Sequence, residues 1–262
     1  MTGISADLDH LAVAAESWEE LWPRYRTELG GDWYEGGPGF GFAWAQLRYG
    51  GGMRVELLMP QNWEVNDFLR RFLDRRGPGP HHMTFKVPDL EAALAASEAA
   101  GYRPVGVDMS EPGWKEAFLH PKDAPGVVIQ LAQSSGDWVF AEPEGFPQKA
   151  GATATFAHVA HAVARFDEGQ RLFGDLLNGA ETRRGHDDLL DAPWIDFAWS
   201  SGGVVRLFEM PEWLGDEPGR LHHVALSTVG PEAVNDAEPT GDGRYEVRPE
   251  ANLGTRLLLT NA

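Results

Sequence analysis

The chain has 262 residues, 42% hydrophobic and 24% charged, which suits one large or two ordinary globular domains and not a disordered segment. It has no cysteine, so disulfides, thiolate metal sites and thiol catalysis are excluded. A net charge of −18 disfavours nucleic acid as a partner, since a phosphate backbone is held by an excess of Lys and Arg.

The first residues, Met1–His10, carry neither a basic segment nor an apolar signal region, and no apolar run is long enough to span a bilayer. A cytoplasmic protein without a membrane partner is expected. Asp9-His10-Leu11-Ala12-Val13 is the first strand-like run, with a His at its second position. Ser17-Trp18-Glu19-Glu20 has the form of a capping box, followed by Leu21, Tyr25 and Leu29 at helical spacing and a stop at Gly30-Gly31. Strands are expected over Phe40–Leu47 and Met53–Met59, then a helix over Gln61–Gly77 with Phe68, Leu69, Phe72 and Leu73 on its apolar stripe. Arg70, Arg71, Arg75 and Arg76 crowd the end of that helix, where cations suit the dipole; a clamp for phosphates is the sharper alternative.

His81-His82-Met83-Thr84-Phe85 opens a second round. Asp89 caps a helix to Gly101, and strands are expected over Tyr102–Val107, Lys115–His120 and Gly126–Ala132. Gln133–Ala152 is rich in Gly, Pro and Ser and reads as a linker. Ala157-His158-Val159-Ala160-His161 opens a third round, with Asp167 as helix cap and strands over Trp194–Trp199 and Val204–Met210. His222-His223-Val224-Ala225-Leu226 opens a fourth, where Gly230-Pro231 and Pro239-Thr240-Gly241 interrupt any helix and only Tyr245–Arg248 and Thr255–Thr260 remain as strands. The fold class is therefore α+β: tandem paired βαβββ modules, four in all with the last shortened, forming two cup-shaped mixed sheets. The domains are residues 1–133, a linker over 134–153, and 154–262.

The repeat aligns chemistry. Nearly the same spacing separates His10 from His82 as separates Glu56 from Gln130. Met83, Phe85 and Val87 make one large apolar face, so His82, Thr84 and Lys86 make the other. The same alternation leaves Arg54, Glu56 and Leu58 with Val128 and Gln130 opposite the helix-facing residues. His10 shares its face with Ala12 and Ala14, which are small and leave room, while His81 falls on the other face. Two His, one Glu and one Gln suit one divalent ion, Zn, Ni, Co, Mn or Fe, with positions left for substrate oxygens. Lys86 and Arg54 on the same face would bind an anionic substrate group or pair with acids at the rim.

These positions resemble the vicinal oxygen chelate superfamily, which includes glyoxalases, methylmalonyl-CoA epimerases, extradiol dioxygenases and bleomycin-resistance proteins. The likeness is nearest to the epimerase and glyoxalase-like branch. It rests on Leu8–Val13, Val55–Leu58, Gly79–Phe85, Phe118–Asp123 and Gly126–Leu131, and spans residues 7–133. The resemblance implies a metal held by His10, Glu56, His82 and Gln130, with Lys122 in a loop beside the site. It also places acidic residues near Glu35, which becomes the candidate base. The family usually has a carboxylate where this chain has Gln130, and an amide cannot take a proton.

In the C-terminal half the matching positions read as His158, Leu207, His223 and Leu258, with Glu209 one layer off, so no second metal is expected there. The expected function is a metal-dependent isomerase or lyase moving a proton next to a carbonyl, on an acyl-CoA or other anionic carbonyl compound. The alternatives are an Fe(II) extradiol-type dioxygenase and a non-catalytic small-molecule binding or resistance protein. The cup would close within the chain or across a homodimer.

Overall fold

The computed structural model describes residues 3–135 and 140–262. It is α+β, as expected, with two eight-stranded mixed sheets. The first has the order β2-β3-β4-β1-β5-β8-β7-β6. Its strands are β1 (Asp7–Ala14), β2 (Asp32–Pro38), β3 (Phe42–Arg48), β4 (Arg54–Pro60), β5 (Gly79–Lys86), β6 (Pro104–Glu111), β7 (Trp114–Leu119) and β8 (Val128–Ser134). The second repeats the pattern as β10-β11-β12-β9-β13-β16-β15-β14. There the strands are β9 (Thr155–Val163), β10 (Ala180–Asp187), β11 (Ala192–Ala198), β12 (Val204–Glu209), β13 (Gly219–Thr228), β14 (Ala237–Pro239), β15 (Tyr245–Val247) and β16 (Leu257–Asn261). In each quarter the first strand pairs parallel with the last, and the other two continue antiparallel to the edge. Thus β2 and β10 are strands that hydrophobic alternation does not announce. Every residue of β10 but Asp187 is exposed, as befits an edge.

The helices depart from the expected caps. The α1 helix (Trp18–Trp22) has Ser17 at its N-cap, but the hydroxyl makes no capping bond. Pro23 follows, lacking the N–H that an α-helical ladder needs, and the chain widens into a π-helical turn over Pro23–Glu28 that closes with Leu29 N–H donating to Arg24 O at 3.0 Å. The α2 helix (Phe68–Arg76) is shorter than the expected Gln61–Gly77, and Arg70 is bound to Glu16 and Asp74. The α3 helix (Leu90–Ala99) does use Asp89, whose carboxylate accepts from Ala92 N–H at 3.0 Å. Arg165, not Asp167, is the N-cap of α4 (Phe166–Gly169), which runs into a second π-helical stretch. A single turn, α5 (Pro211–Leu214), follows β12. Among the described residues no helix is long and apolar enough to cross a membrane.

The chain gathers into two compact units. One comprises residues 1–9, 82–137 and 158–222. Its core includes Phe85, whose ring meets Trp199 at 5.1 Å and Phe173 at 6.4 Å. Within it, Gly126 (φ +69°) lies against Gly219, whose carbonyl oxygen would be 1.6 Å from any added Cβ, so no larger residue fits at the entry to β8. The other unit comprises residues 10–81, 138–157 and 223–262. In it the stretch read as a linker is packed: Phe146 stacks edge-on against Trp22 and Trp33, and Phe140 against Trp44. Residues 136–139 of that stretch lie outside the described residues.

Helix α2 also changes the reading of the site face. Leu69 and Leu73 pack with Ala12, Ala14 and Leu58, flanked by Trp44, Phe42, Phe68 and Phe72. The room left by the two alanines is therefore filled by a helix, on the same sheet face that carries His10 and Glu56.

Candidate metal centre

Register builds the site strand by strand. Ala12 on β1 pairs with Glu56 on β4, Glu56 with Gln46 on β3, and Gln46 with Glu35 on β2. Residues paired across a sheet share a face, so Glu35, Gln46 and Glu56 form one row, with His10 two residues before Ala12 on the same side. His10 pairs with Arg54, which shares that face and stacks on Tyr34 at 4.3 Å. His10, Gln46 and Glu56 are all buried. His10 Nε2 lies 3.5 Å from Glu56 Oε2, and Gln46 Nε2 lies 3.2 Å from Glu56 Oε1 and 3.3 Å from His10 Nδ1. Gln46 escaped the sequence reading because an amide carries no charge to flag it. Its signal was there: in Phe42-Ala43-Trp44-Ala45-Gln46 it alternates onto the side of the large residues. An amide can also serve either imidazole tautomer, offering NH2 or oxygen to Nδ1.

The second repeat gives the same construction. Thr84 on β5 pairs with Gln130 on β8, and Gln130 with Phe118 on β7. His82 is two residues before Thr84 and is buried, with Phe118 edge-on to its ring at 6.3 Å. Thr84 Oγ1 donates to Gln130 Oε1 at 2.5 Å, and Gln130 Nε2 donates to Glu116 Oε2 at 2.7 Å.

His10, Glu56 and His82 each offer a donor atom, and these atoms all lie within 4.8 Å of one another. Two imidazoles and one carboxylate at that spacing, all buried, fit a single divalent ion with metal–ligand bonds near ~2.1 Å.

The other candidates fall as follows. Glu35 is half-buried on the row described above. Lys86 Nζ stands 3.8 Å over the Trp114 ring. Lys122 is exposed in the turn after β7, its backbone N–H donating to His120 Nδ1. His81 turns to α2, where its ring meets Phe72 at 4.7 Å and Phe68 at 5.7 Å, and burial lowers its pKa to about 4 against the pull of Glu56.

The C-terminal half corrects one alignment. Ala160 pairs with Arg206, and Arg206 with Asp196, which pairs with Arg183. This is the row Ala12–Glu56–Gln46–Glu35 repeated, so Arg206, and not Leu207, stands where Glu56 stands. Leu207 pairs with His161 and is fully buried on the opposite face. Glu209 is occupied too, its carboxylate accepting from Phe166 N–H at 2.9 Å. Asp196 is completely buried and receives Arg206 Nε at 2.7 Å and Arg183 at 2.9 Å. His161 is buried with its Nε2 at 2.7 Å from Pro125 O, and burial lowers its pKa to about 4.

The family model for the glyoxalase/bleomycin resistance protein/dioxygenase superfamily matches residues 9–118. The human mitochondrial methylmalonyl-CoA epimerase is 28% identical over 135 residues, 48% of this chain and 73% of that enzyme. The ethylmalonyl-CoA/methylmalonyl-CoA epimerase of Cereibacter sphaeroides is 30% identical over 139 residues, 48% of this chain and 96% of that enzyme. The crystal structure of a hypothetical protein from Staphylococcus aureus is similar over 98% of this chain and 100% of its own, with a TM-score of 0.60 at 12% identity, which shows a shared fold. With the family model matching residues 9–118 and a 30% identical relative matched over 96% of its length, the chain belongs to the glyoxalase/bleomycin resistance protein/dioxygenase superfamily.

Proposed function

We propose that the protein is a divalent-metal-dependent epimerase-like enzyme that moves a proton on the carbon next to a carbonyl, with an acyl-CoA thioester as the substrate class. The observation that carries this is the buried His10–Glu56–His82 cluster, set on a half-chain similar to methylmalonyl-CoA epimerases. His10, Glu56 and His82 would hold the ion, and Gln130 would be a weaker fourth ligand through its amide oxygen. A divalent ion bound by a single carboxylate supplies net positive charge where an enolate oxygen develops. Gln46 orients His10 and Glu56 from behind. Glu35 would exchange a proton with the substrate from the first repeat, since Glu56 is committed to the ion. Arg54 and Lys86 would meet the anionic part of the substrate, and Lys122 its outer part.

Solvent deuterium exchange at the α-carbon of methylmalonyl-CoA, with metal supplied and metal content measured, tests the reading. Exchange that disappears with a chelator and returns with Co, Ni, Zn or Mn is the expected result. No exchange with that thioester or related 2-substituted ones would sink it. A second reading has one observation in its favour: two His and one carboxylate are also the ligand set of non-haem Fe(II) oxygenases. Iron in the purified protein together with O2 consumption on catechols would favour that chemistry. Lack of metal and of both activities would favour a small-molecule binding protein.

A further inference from the structure

The row that runs through Glu56 in the first repeat returns in the third with its charge inverted. Glu35, Gln46 and Glu56 cross β2, β3 and β4; Arg183, Asp196 and Arg206 cross β10, β11 and β12 at the same register positions. The irregularity is copied too: β2 has a register shift between Trp33 and Glu35, and β10 has one between Glu181 and Arg183. A bulge of this kind re-aims the side chains beside it. Two carboxylates and an amide have become two guanidiniums and one carboxylate, all within a single compact unit.

Asp196 is completely buried and takes both arginines. Arg206 donates from Nε to Oδ1 at 2.7 Å and from Nη2 to Oδ2 at 2.9 Å, a two-pronged pair that by itself balances the buried charge. Arg183 brings a second guanidinium to the same Oδ2, with Nη2 at 2.9 Å and Nε at 3.2 Å. One arginine would satisfy Asp196. Two leave one net positive charge on this sheet face, which a purely structural pair does not need. Among the described residues neither arginine's Nη1 makes a hydrogen bond. The Arg206 guanidinium also lies on the Trp194 ring, 3.8 Å from its centroid, so it is fixed by its edge and by its plane.

The surroundings are apolar. Trp194 is two residues from Asp196 along β11, and Phe208 is two from Arg206 along β12, so alternation sets both on this face. They cluster with Ala160 and Ala192 and with the partly buried Leu190 and Met210.

We infer that this row is a second binding site, independent of the metal centre, for an organic carboxylate with an apolar body. One net positive charge matches a monoanion, whereas a phosphate dianion would leave negative charge unbalanced. The carboxylate accepts from the outer edges of Arg183 and Arg206, and its hydrocarbon part lies along Trp194 and the cluster beside it.

Calorimetric titration of the full chain tests the site with hexanoate, benzoate and inorganic phosphate. The protein is first treated with a chelator, so that no carboxylate can ligate an ion elsewhere. Saturable binding of one hexanoate or benzoate per chain, tighter than phosphate, is the expected result. Arg183→Ala should weaken it at least about tenfold, as befits the loss of a hydrogen bond between charged groups, and Arg183→Lys should recover part. Arg206→Gln should abolish it in protein shown by circular dichroism to be folded; if that variant does not fold, the Arg183 pair decides. Binding that Arg183→Ala leaves unchanged would overturn the assignment. So would phosphate binding more tightly than both carboxylates, or no saturable binding of either carboxylate by the wild type.

Discussion

Glu56 of β4 and Arg206 of β12 hold the same register position in two copies of one repeat, each opposite an alanine of the parallel first strand. Where one half presents a carboxylate beside His10, the other presents a guanidinium whose charge is taken up by Asp196. A fixed cation there is incompatible with a bound divalent ion, so metal should load in the N-terminal half alone. His82→Ala is expected to lose the metal and His223→Ala to retain it, as read by metal analysis of dialysed protein. Loss from the second variant and not the first would reverse the assignment.

The same pairing has a structural consequence. Asp196 is completely buried, and Arg206 is its more sheltered partner, with a side chain 14% exposed against 67% for Arg183. Breaking a buried pair leaves an uncompensated charge, so Arg206→Ala should cost about 3 kcal/mol in chemical denaturation. Arg183→Ala, at the solvent edge, should cost less than about 1 kcal/mol. Equal costs would mean that Asp196 does not depend on the inner arginine.

Much of this architecture was legible from four His-bearing strands at repeated spacing. Period-2 alternation then sorted His10, Glu56, His82 and Gln130 onto one face. What alternation cannot supply is which face a separate helix will choose. The Phe68–Leu73 stripe marked α2 as amphipathic, but only packing shows it covering Ala12 and Ala14. The slip from Arg206 to Leu207 has a similar origin. Val204–Glu209 is apolar on both sides, so its own pattern does not fix the phase, and a one-residue slip turns every side chain over. The strands β2 and β10 went unread because edge strands are kept polar and glycine-rich, as in Glu35-Gly36-Gly37 and Thr182-Arg183-Arg184-Gly185. Gln46 was missed because an amide carries no charge to mark it.

Burial gives a prediction about pH. His161 is held neutral, its pKa lowered from 6.5 to about 4. Between those values the unfolded chain binds a proton that the folded one does not, so stability falls as pH drops through this window, by about 1.4 kcal/mol per unit at most. His81, lowered to about 4 as well, adds to the same slope. His161→Gln removes one titration while keeping an N–H for Pro125 O. Denaturation midpoints measured from pH 7 to pH 4 should then fall less steeply than in the wild type. An unchanged slope would mean that His161 is not protonated on unfolding in that range.

Gln130→Glu is the substitution that would give the second repeat the carboxylate usual in the family. Its neighbour makes the outcome conditional. The amide nitrogen of Gln130 is 2.7 Å from a Glu116 oxygen, so the variant sets two carboxylates in hydrogen-bond contact. Two such groups cannot both ionise without cost, and one pKa is raised in the folded state. A raised pKa gives stability at low pH that is lost as pH climbs through it, so the metal-free variant should lose about 2 kcal/mol relative to wild type at pH 8 and little at pH 5. A divalent ion ligated at position 130 would neutralise the pair in place of the proton. Metal should then bind the variant at least as tightly as the wild type and restore its stability at pH 8. Calorimetric titration of metal at both pH values, beside denaturation of the metal-free and loaded forms, separates the two effects. If the variant loses metal that the wild type holds, Gln130 is not a ligand, and its amide serves only to orient Glu116.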